Sequence, residues 1–184
     1  LGGVGLVTLG AIRALHCLVG NPRTPLLFLS MFLFSHVVIV STITYRLENK
    51  RPRLKRRDLL TIIFGLIIGN GLALTYMYFR HALIAKNLPM LLGPGAAAIA
   101  YVLWATVIMA NRTQSPRQKG ERLMLLGLFW LFVYDASILL SNGQGLAALA
   151  VTLLLLAAIA SFFGLRFLSR TLIAPRLSSR PDRP

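Results

Sequence analysis

Six apolar runs of about 20 residues follow one another along this chain, and they limit what it can fold into. The hydrocarbon core of a bilayer is crossed by about 20 apolar residues in a helix, and backbone groups there must be hydrogen-bonded within the segment. The runs therefore predict six transmembrane helices, at Leu1–Gly20, Pro25–Tyr45, Leu59–Phe79, Leu88–Ala110, Leu123–Ser141 and Leu146–Leu168. The expected fold is all-α, a polytopic transmembrane bundle over residues 1–170. Residues 171–184 are rich in proline and charge, which predicts a disordered basic tail.

The composition excludes an ordinary soluble domain. Hydrophobic residues make up 56% of the chain, its mean hydropathy is +0.70, and only five residues are acidic. The net charge of +15 does not indicate nucleic-acid binding, because the cations stand at the ends of apolar runs and not on one amphipathic face. Membrane lipids are the expected partners. Cys17 is the single cysteine, so the chain cannot form an internal disulfide or a multi-thiolate metal site.

The cations predict an orientation in the membrane. Two breaks and the C-terminal end, all on one side of the predicted bundle, hold most of them: Arg46, Lys50, Arg51, Arg53, Lys55, Arg56 and Arg57; Arg112, Arg117, Lys119 and Arg122; Arg166, Arg170, Arg176, Arg180 and Arg183. The other side holds only Arg23, Arg80 and Lys86. Because cytoplasmic loops carry the excess of Lys and Arg, both ends of the chain are expected to be cytoplasmic. The expected location is the bacterial inner membrane.

One acid, Glu48, stands in the most basic of these loops. It is either a solvated counter-ion or part of an anion site in which Arg46, Lys50 and Arg51 hold a phosphate directly. A carboxylate can reach a phosphate only through a bridging Mg²⁺, and one carboxylate is a poor magnesium site.

Five polar residues inside the predicted spans are candidates for lining a cavity: Arg13, His16, His36, Asn70 and Asp135. Charged groups at this depth are usually paired, hydrated or functional. Arg13 and Asp135 lie at similar depth, so we expect both inside the bundle, where an ion pair is possible. For His16 and His36 a hydrogen-bonded core histidine is the simpler interpretation. Asn70 is expected to hydrogen-bond a neighbouring helix, or else to line the cavity.

Two short segments resemble the second half of UbiA-type prenyltransferases, in particular the divergent EboC-like branch. The first is "LGAIRALHCLVG", similar to the pattern G-x-x-R-x-L-N-x-x-x-G, and the second is "TITYRLENKRP", similar to T-x-x-S-R-x-E. The matching positions are Gly10, Arg13, Leu15 and Gly20, with His16 in place of Asn, and then Thr42, Arg46 and Glu48.

The resemblance implies a membrane enzyme that transfers an isoprenoid chain from a prenyl diphosphate to an aromatic or other acceptor. It implies about nine helices, of which this chain would be a fragment lacking the upstream N-D-x-x-D motif, and Mg²⁺ as cofactor. Arg46, Glu48, Lys50 and Arg51 would then form the second diphosphate site, with Glu48 toward the metal. The usual aspartates are replaced there by cations, which departs from the family pattern.

The alternative is a non-catalytic polytopic membrane protein, such as a transporter component or an assembly subunit, in which the basic loops only set the topology. No complete set of catalytic residues can be identified in the sequence. The oligomeric state, the acceptor and the length of the prenyl chain cannot be predicted from it.

Overall fold

The computed structural model describes residues 2–20, 27–79 and 88–172, and the regular structure within these ranges is α-helical. The helices are α1 (Gly2–Gly20), α2 (Leu27–Leu47), α3 (Arg56–Phe79), α4 (Leu88–Ala110), α5 (Pro116–Ser141) and α6 (Gly145–Leu172). All six are long and apolar enough to cross a membrane, which confirms the predicted fold class and indicates an integral membrane protein. Most of the predicted basic tail, from residue 173 onward, lies outside the described residues.

Helix α5 begins seven residues before the predicted start of its span at Leu123. Ser115 Oγ accepts a hydrogen bond from Gln118 N, and Gln118 Oε1 accepts one from Ser115 N, with Pro116 in the first turn. This capping box stabilises a helix start in a polar segment that hydropathy alone does not identify. At a rise of 1.5 Å per residue α5 is about 39 Å long, so its first turns extend beyond a hydrocarbon core of about 30 Å.

Helix α2 lies at the centre of the bundle. It packs against α1, α3 and α5 and touches α4, while α5 also packs against α4 and α6. Half of the α2 span is buried inside the protein, against 6% for α3 and for α6. The outer helices therefore present most of their apolar side chains to lipid.

The core has two parts, one on each side of α2. The larger part joins α2, α4 and α5 through Leu33, Tyr101, Trp130, Tyr134 and their neighbours. The smaller part places Phe34, Val38 and Ile62 between α2 and α3, with side chains of α1 against them.

Two glycines of α3 permit its close approach to α1 and α2. A Cβ atom on Gly65 would lie 2.7 Å from Val7 Cγ2, and one on Gly69 would lie 2.6 Å from Phe34 Cε1. The G-x-x-x-G spacing of these residues lets helix backbones pack tightly. Here both glycines serve contacts within the chain.

The ends of five helices meet at one end of the bundle, which we call the basic end, formed by residues 46–58 and 111–120. There Asp58 Oδ1 accepts a hydrogen bond from Gly3 N at 2.9 Å, and Asp58 Oδ2 accepts one from Lys55 N at 2.8 Å. One carboxylate thus joins the first turns of α1 and α3, where the helix dipoles favour an anion. On the other side, Glu48 after α2 packs beside Gly120 of α5.

Candidate functional site

A basic pocket of about 160 Å³ lies where α2 ends. Its lining residues are Tyr45, Arg46, Asn49, Lys50, Arg53 and Leu54. We call this cavity the basic pocket. It contains three cations and no carboxylate.

The end of α2 explains why Arg46 and Lys50 meet. Asn49 adopts a left-handed conformation with φ of 50°. Its N–H group donates a hydrogen bond to Arg46 O at 3.2 Å, and the N–H group of Lys50 donates one to Tyr45 O at 3.2 Å. This is the Schellman arrangement, in which Asn is one of the few residues that tolerate the positive φ. The Tyr45 hydroxyl then donates to Pro52 O at 2.8 Å and fixes the following loop.

The pocket has positive charge available for an anion. Neither Arg46 nor Arg53 makes an ion pair with a described residue. Guanidinium groups bind phosphate oxygens through paired, charge-assisted hydrogen bonds. The pocket is therefore suited to a phosphate or diphosphate group.

Glu48 is not in the lining of the basic pocket. Its side chain is 15% exposed, and its Oε2 atom accepts from Lys50 Nζ at 2.8 Å. The carboxylate thus acts as the counter-ion of Lys50 against α5. Arg51, also predicted for this site, is exposed and lies outside the lining.

The residues described here do not fit the expected Mg²⁺ site. Within the described ranges, no three His, Cys, Asp or Glu side chains lie close enough to share a metal ion. Glu48 is paired with Lys50, and both oxygens of Asp58 accept backbone N–H groups. Magnesium therefore stays a prediction from the resemblance.

An apolar groove of about 400 Å³ lies between α1 and α3. It extends along α3 from Leu60 to Ile68 and is lined on α1 by Val4, Val7 and Thr8. Val4 directly follows Gly3, whose N–H group is hydrogen-bonded to Asp58 at the basic end. The groove therefore begins at the basic end. We call it the α1–α3 groove.

Three of the predicted cavity residues line a different cavity. Arg13, His16 and Asp135 lie around a cleft of about 510 Å³, together with Cys17 and aliphatic side chains of α2, α5 and α6. The cleft contacts the start of α2 and the end of α5, so it lies in the half of the bundle away from the basic end. The structure therefore separates these residues from Arg46 and Glu48.

Two expectations about this cleft are wrong. Arg13 and His16 are exposed, whereas we expected Arg13 inside the bundle and His16 in the core. The reason is that, in the described part of the chain, α1 packs only against α2 and α3, so the remaining face of α1 is open. Asp135 is half-buried, and no ion pair joins it to Arg13.

His36 lies in the core and not in the cleft, as expected for a hydrogen-bonded core histidine. Its Nε2 atom is 3.1 Å from Gly127 O, and its Nδ1 atom is 3.4 Å from Tyr134 Oη. The ring of Tyr101 meets the His36 ring edge-on, with centroids 4.4 Å apart. This aromatic cluster joins α2, α4 and α5.

Asn70 forms a hydrogen bond with a neighbouring helix, which is the first of its two predicted roles. Its Nδ2 atom donates to Ser35 Oγ at 3.0 Å and to Leu66 O at 2.9 Å. Because α3 has few buried side chains, this polar contact helps to fix it against α2.

Comparison of the chain with protein-family models, with curated proteins and with solved structures gives no match. The resemblance to UbiA-type prenyltransferases is untested by these comparisons.

Proposed function

We propose that this protein binds an isoprenoid diphosphate at the basic end and transfers its isoprenoid chain to an aromatic or other acceptor. One observation carries the proposal: the basic pocket and the α1–α3 groove both lie at the basic end of the bundle. An isoprenoid diphosphate has the matching shape, with an anionic head and an apolar chain.

The head would bind in the basic pocket. Arg46 and Arg53 have no carboxylate partner among the described residues, so their charge is available to the diphosphate. As the C–O bond to the allylic carbon breaks, negative charge grows on the leaving diphosphate, and positioned cations stabilise it. Transfer itself rests on the resemblance.

The chain would lie in the α1–α3 groove. From Leu60 to Ile68 the groove follows α3 for about 12 Å into the hydrocarbon region. Half of its lining residues are aliphatic, and two threonines, Phe64 and Gly65 complete the lining. An isoprenoid chain that arrives from water would gain free energy by contact with this apolar surface. The groove itself is open to lipid.

A second candidate is a non-catalytic membrane protein that binds an anionic lipid headgroup in the same pocket. The pairing of Glu48 with Lys50 favours it, because the carboxylate expected to hold a metal is already engaged. The two candidates share the basic pocket and differ in the ligand and in the transfer step.

The proposed orientation places the basic end in the cytoplasm, and the proposed location is the bacterial inner membrane. The described cations of residues 46–57 and 112–122 lie together at this end. The positive-inside rule supports a cytoplasmic basic end. A soluble prenyl diphosphate would then reach the pocket from the cytoplasm.

The test is the affinity of the purified full chain for geranylgeranyl diphosphate. A charge-assisted hydrogen bond is worth about 1.5–3 kcal/mol, so Arg46→Ala and Arg53→Ala should each weaken binding by roughly tenfold to a hundredfold. Arg57→Ala is the matched control, because Arg57 is exposed and outside the pocket. Equal affinities for all three variants, or no binding by the wild type, would exclude the proposed site.

Magnesium dependence is measured in the same assay. If Glu48 holds the ion, Glu48→Ala removes the magnesium-dependent part of binding. If Glu48 is only the partner of Lys50, the variant keeps its response to Mg²⁺. Formation of a prenylated product from an aromatic acceptor then separates the enzyme from the non-catalytic candidate.

A further inference from the structure

We propose that the cleft between α1 and α6 binds a phospholipid headgroup that carries both a phosphate and a primary ammonium group. The cleft is the 510 Å³ cavity that contains Arg13 and Asp135. This inference does not depend on the proposed prenyl transfer, because the cleft and the basic pocket share no lining residue.

The charges in the cleft lack partners. Arg13 and Asp135 have opposite charge and line the same cavity, yet neither makes an ion pair or a hydrogen bond with a described residue. Charged side chains within membrane spans are costly unless they are paired or hydrated. A ligand with one group of each sign would satisfy both.

The cleft is accessible from the lipid phase. Helix α1 packs against α2 and α3, helix α6 packs against α5, and the described residues of α1 and α6 do not pack against each other. Val151 of α6 and Leu29 and Leu33 of α2 line the cleft beside the charged groups. Lipid can therefore enter between α1 and α6 and keep an acyl chain against aliphatic side chains.

The depth of the charges fits a headgroup drawn in from the nearer membrane surface. Arg13 lies seven residues before the end of α1, and Asp135 lies six residues before the end of α5. At 1.5 Å per residue these positions are about 10 Å and 9 Å from the ends of their helices. Long cationic side chains and local thinning of the bilayer bridge distances of this order.

The chemistry selects among common headgroups. The Arg13 guanidinium donates hydrogen bonds to phosphate oxygens, and the Asp135 carboxylate accepts them from an ammonium group. Phosphatidylethanolamine offers both groups. Phosphatidylcholine has the same net charge but no N–H, so comparison of the two isolates the contact with Asp135.

The test is native mass spectrometry of the purified full chain in detergent with equal amounts of phosphatidylethanolamine and phosphatidylcholine of identical acyl chains. The wild type should retain on the order of ten times more phosphatidylethanolamine than phosphatidylcholine. Asp135→Asn should bring the ratio close to one, and Arg13→Gln should weaken retention of both lipids. Equal retention by the wild type overturns the proposal.

Three further variants separate lipid binding from folding. Asp135→Glu keeps the carboxylate and should keep the preference. Leu139 of α5 also lines the cleft. Leu139→Trp therefore fills the cleft without removing a charge and should lower retention of phosphatidylethanolamine. Glu121→Gln, on the exposed surface of α5, is the control and should leave the ratio unchanged. A preference that survives both Asp135→Asn and Leu139→Trp also overturns the proposal.

Discussion

At the residue scale, the aromatic cluster around His36 contains two buried polar groups that differ in their hydrogen bonding. Trp130 Nε1 donates to Ala97 O at 2.8 Å, which joins α5 to α4. The Tyr101 hydroxyl is buried in the same cluster without a hydrogen-bond partner among the described residues. The rings of the two residues are in edge contact, with centroids 5.6 Å apart.

This difference predicts opposite effects for two substitutions. Tyr101→Phe keeps the ring contacts and removes the unpartnered hydroxyl, so the free energy of unfolding should be unchanged or rise by up to about 1 kcal/mol. Trp130→Phe leaves Ala97 O without its donor and reduces the packed volume, so a loss of about 2–4 kcal/mol is expected. Chemical denaturation in detergent measures both. A larger loss for Tyr101→Phe than for Trp130→Phe would show that the hydroxyl has a stabilising partner.

At the element scale, small residues decide how closely the helices pack. Gly69 of α3 faces the ring of Phe34, whereas Gly71, two residues further on, has no atom of a described residue within 4 Å of its Cβ position. The two glycines lie in one helix and differ in what surrounds them. They therefore form a matched pair for mutation.

Gly69→Ala should destabilise the packing of α3 against α2 by about 1–3 kcal/mol, because the added methyl group meets the Phe34 ring. Gly71→Ala should be neutral or stabilising by up to about 1 kcal/mol, since alanine favours the helix and meets no neighbour. Thermal unfolding followed by tryptophan fluorescence compares the two. Equal shifts in Tm would mean that α3 does not pack tightly at Gly69.

The helix elements were predictable because hydropathy and bilayer thickness impose the same length on each span. The start of α5 was not predictable, because it depends on Ser115 and Gln118, which lie in a polar segment.

The site was only partly predictable: Arg46 and Lys50 are in the basic pocket, but Arg53 joins them through the turn at Asn49. The sequence also could not show that Arg13 and Asp135 line one cleft without forming an ion pair, since similar depth does not identify which helices are neighbours.

At the scale of the whole molecule, the bundle has two chemically different halves. The basic end carries the basic pocket and the start of the α1–α3 groove, and the other half carries the cleft with Arg13 and Asp135. The positions of their lining residues along the helices place these sites toward opposite ends of the bundle. Each site can therefore meet a different leaflet.

The orientation is testable by labelling of introduced cysteines in a Cys17→Ser background. With the basic end in the cytoplasm, a cysteine at Arg53 should be protected from an impermeant reagent added outside intact cells. One at Asn142, in the turn between α5 and α6, should react from outside. The opposite pattern would invert the topology and place the basic pocket outside the cytoplasm.

Photo-crosslinking with an isoprenoid diphosphate that carries a diazirine on its chain locates the bound isoprenoid chain in the bundle. If the diphosphate binds in the basic pocket and the chain lies in the α1–α3 groove, the label will map to residues 2–20 and 56–79. Unlabelled geranylgeranyl diphosphate should compete, and the double variant Arg46→Ala/Arg53→Ala should lose most of the label. Labelling confined to α6, or unchanged in the double variant, would contradict the proposed site.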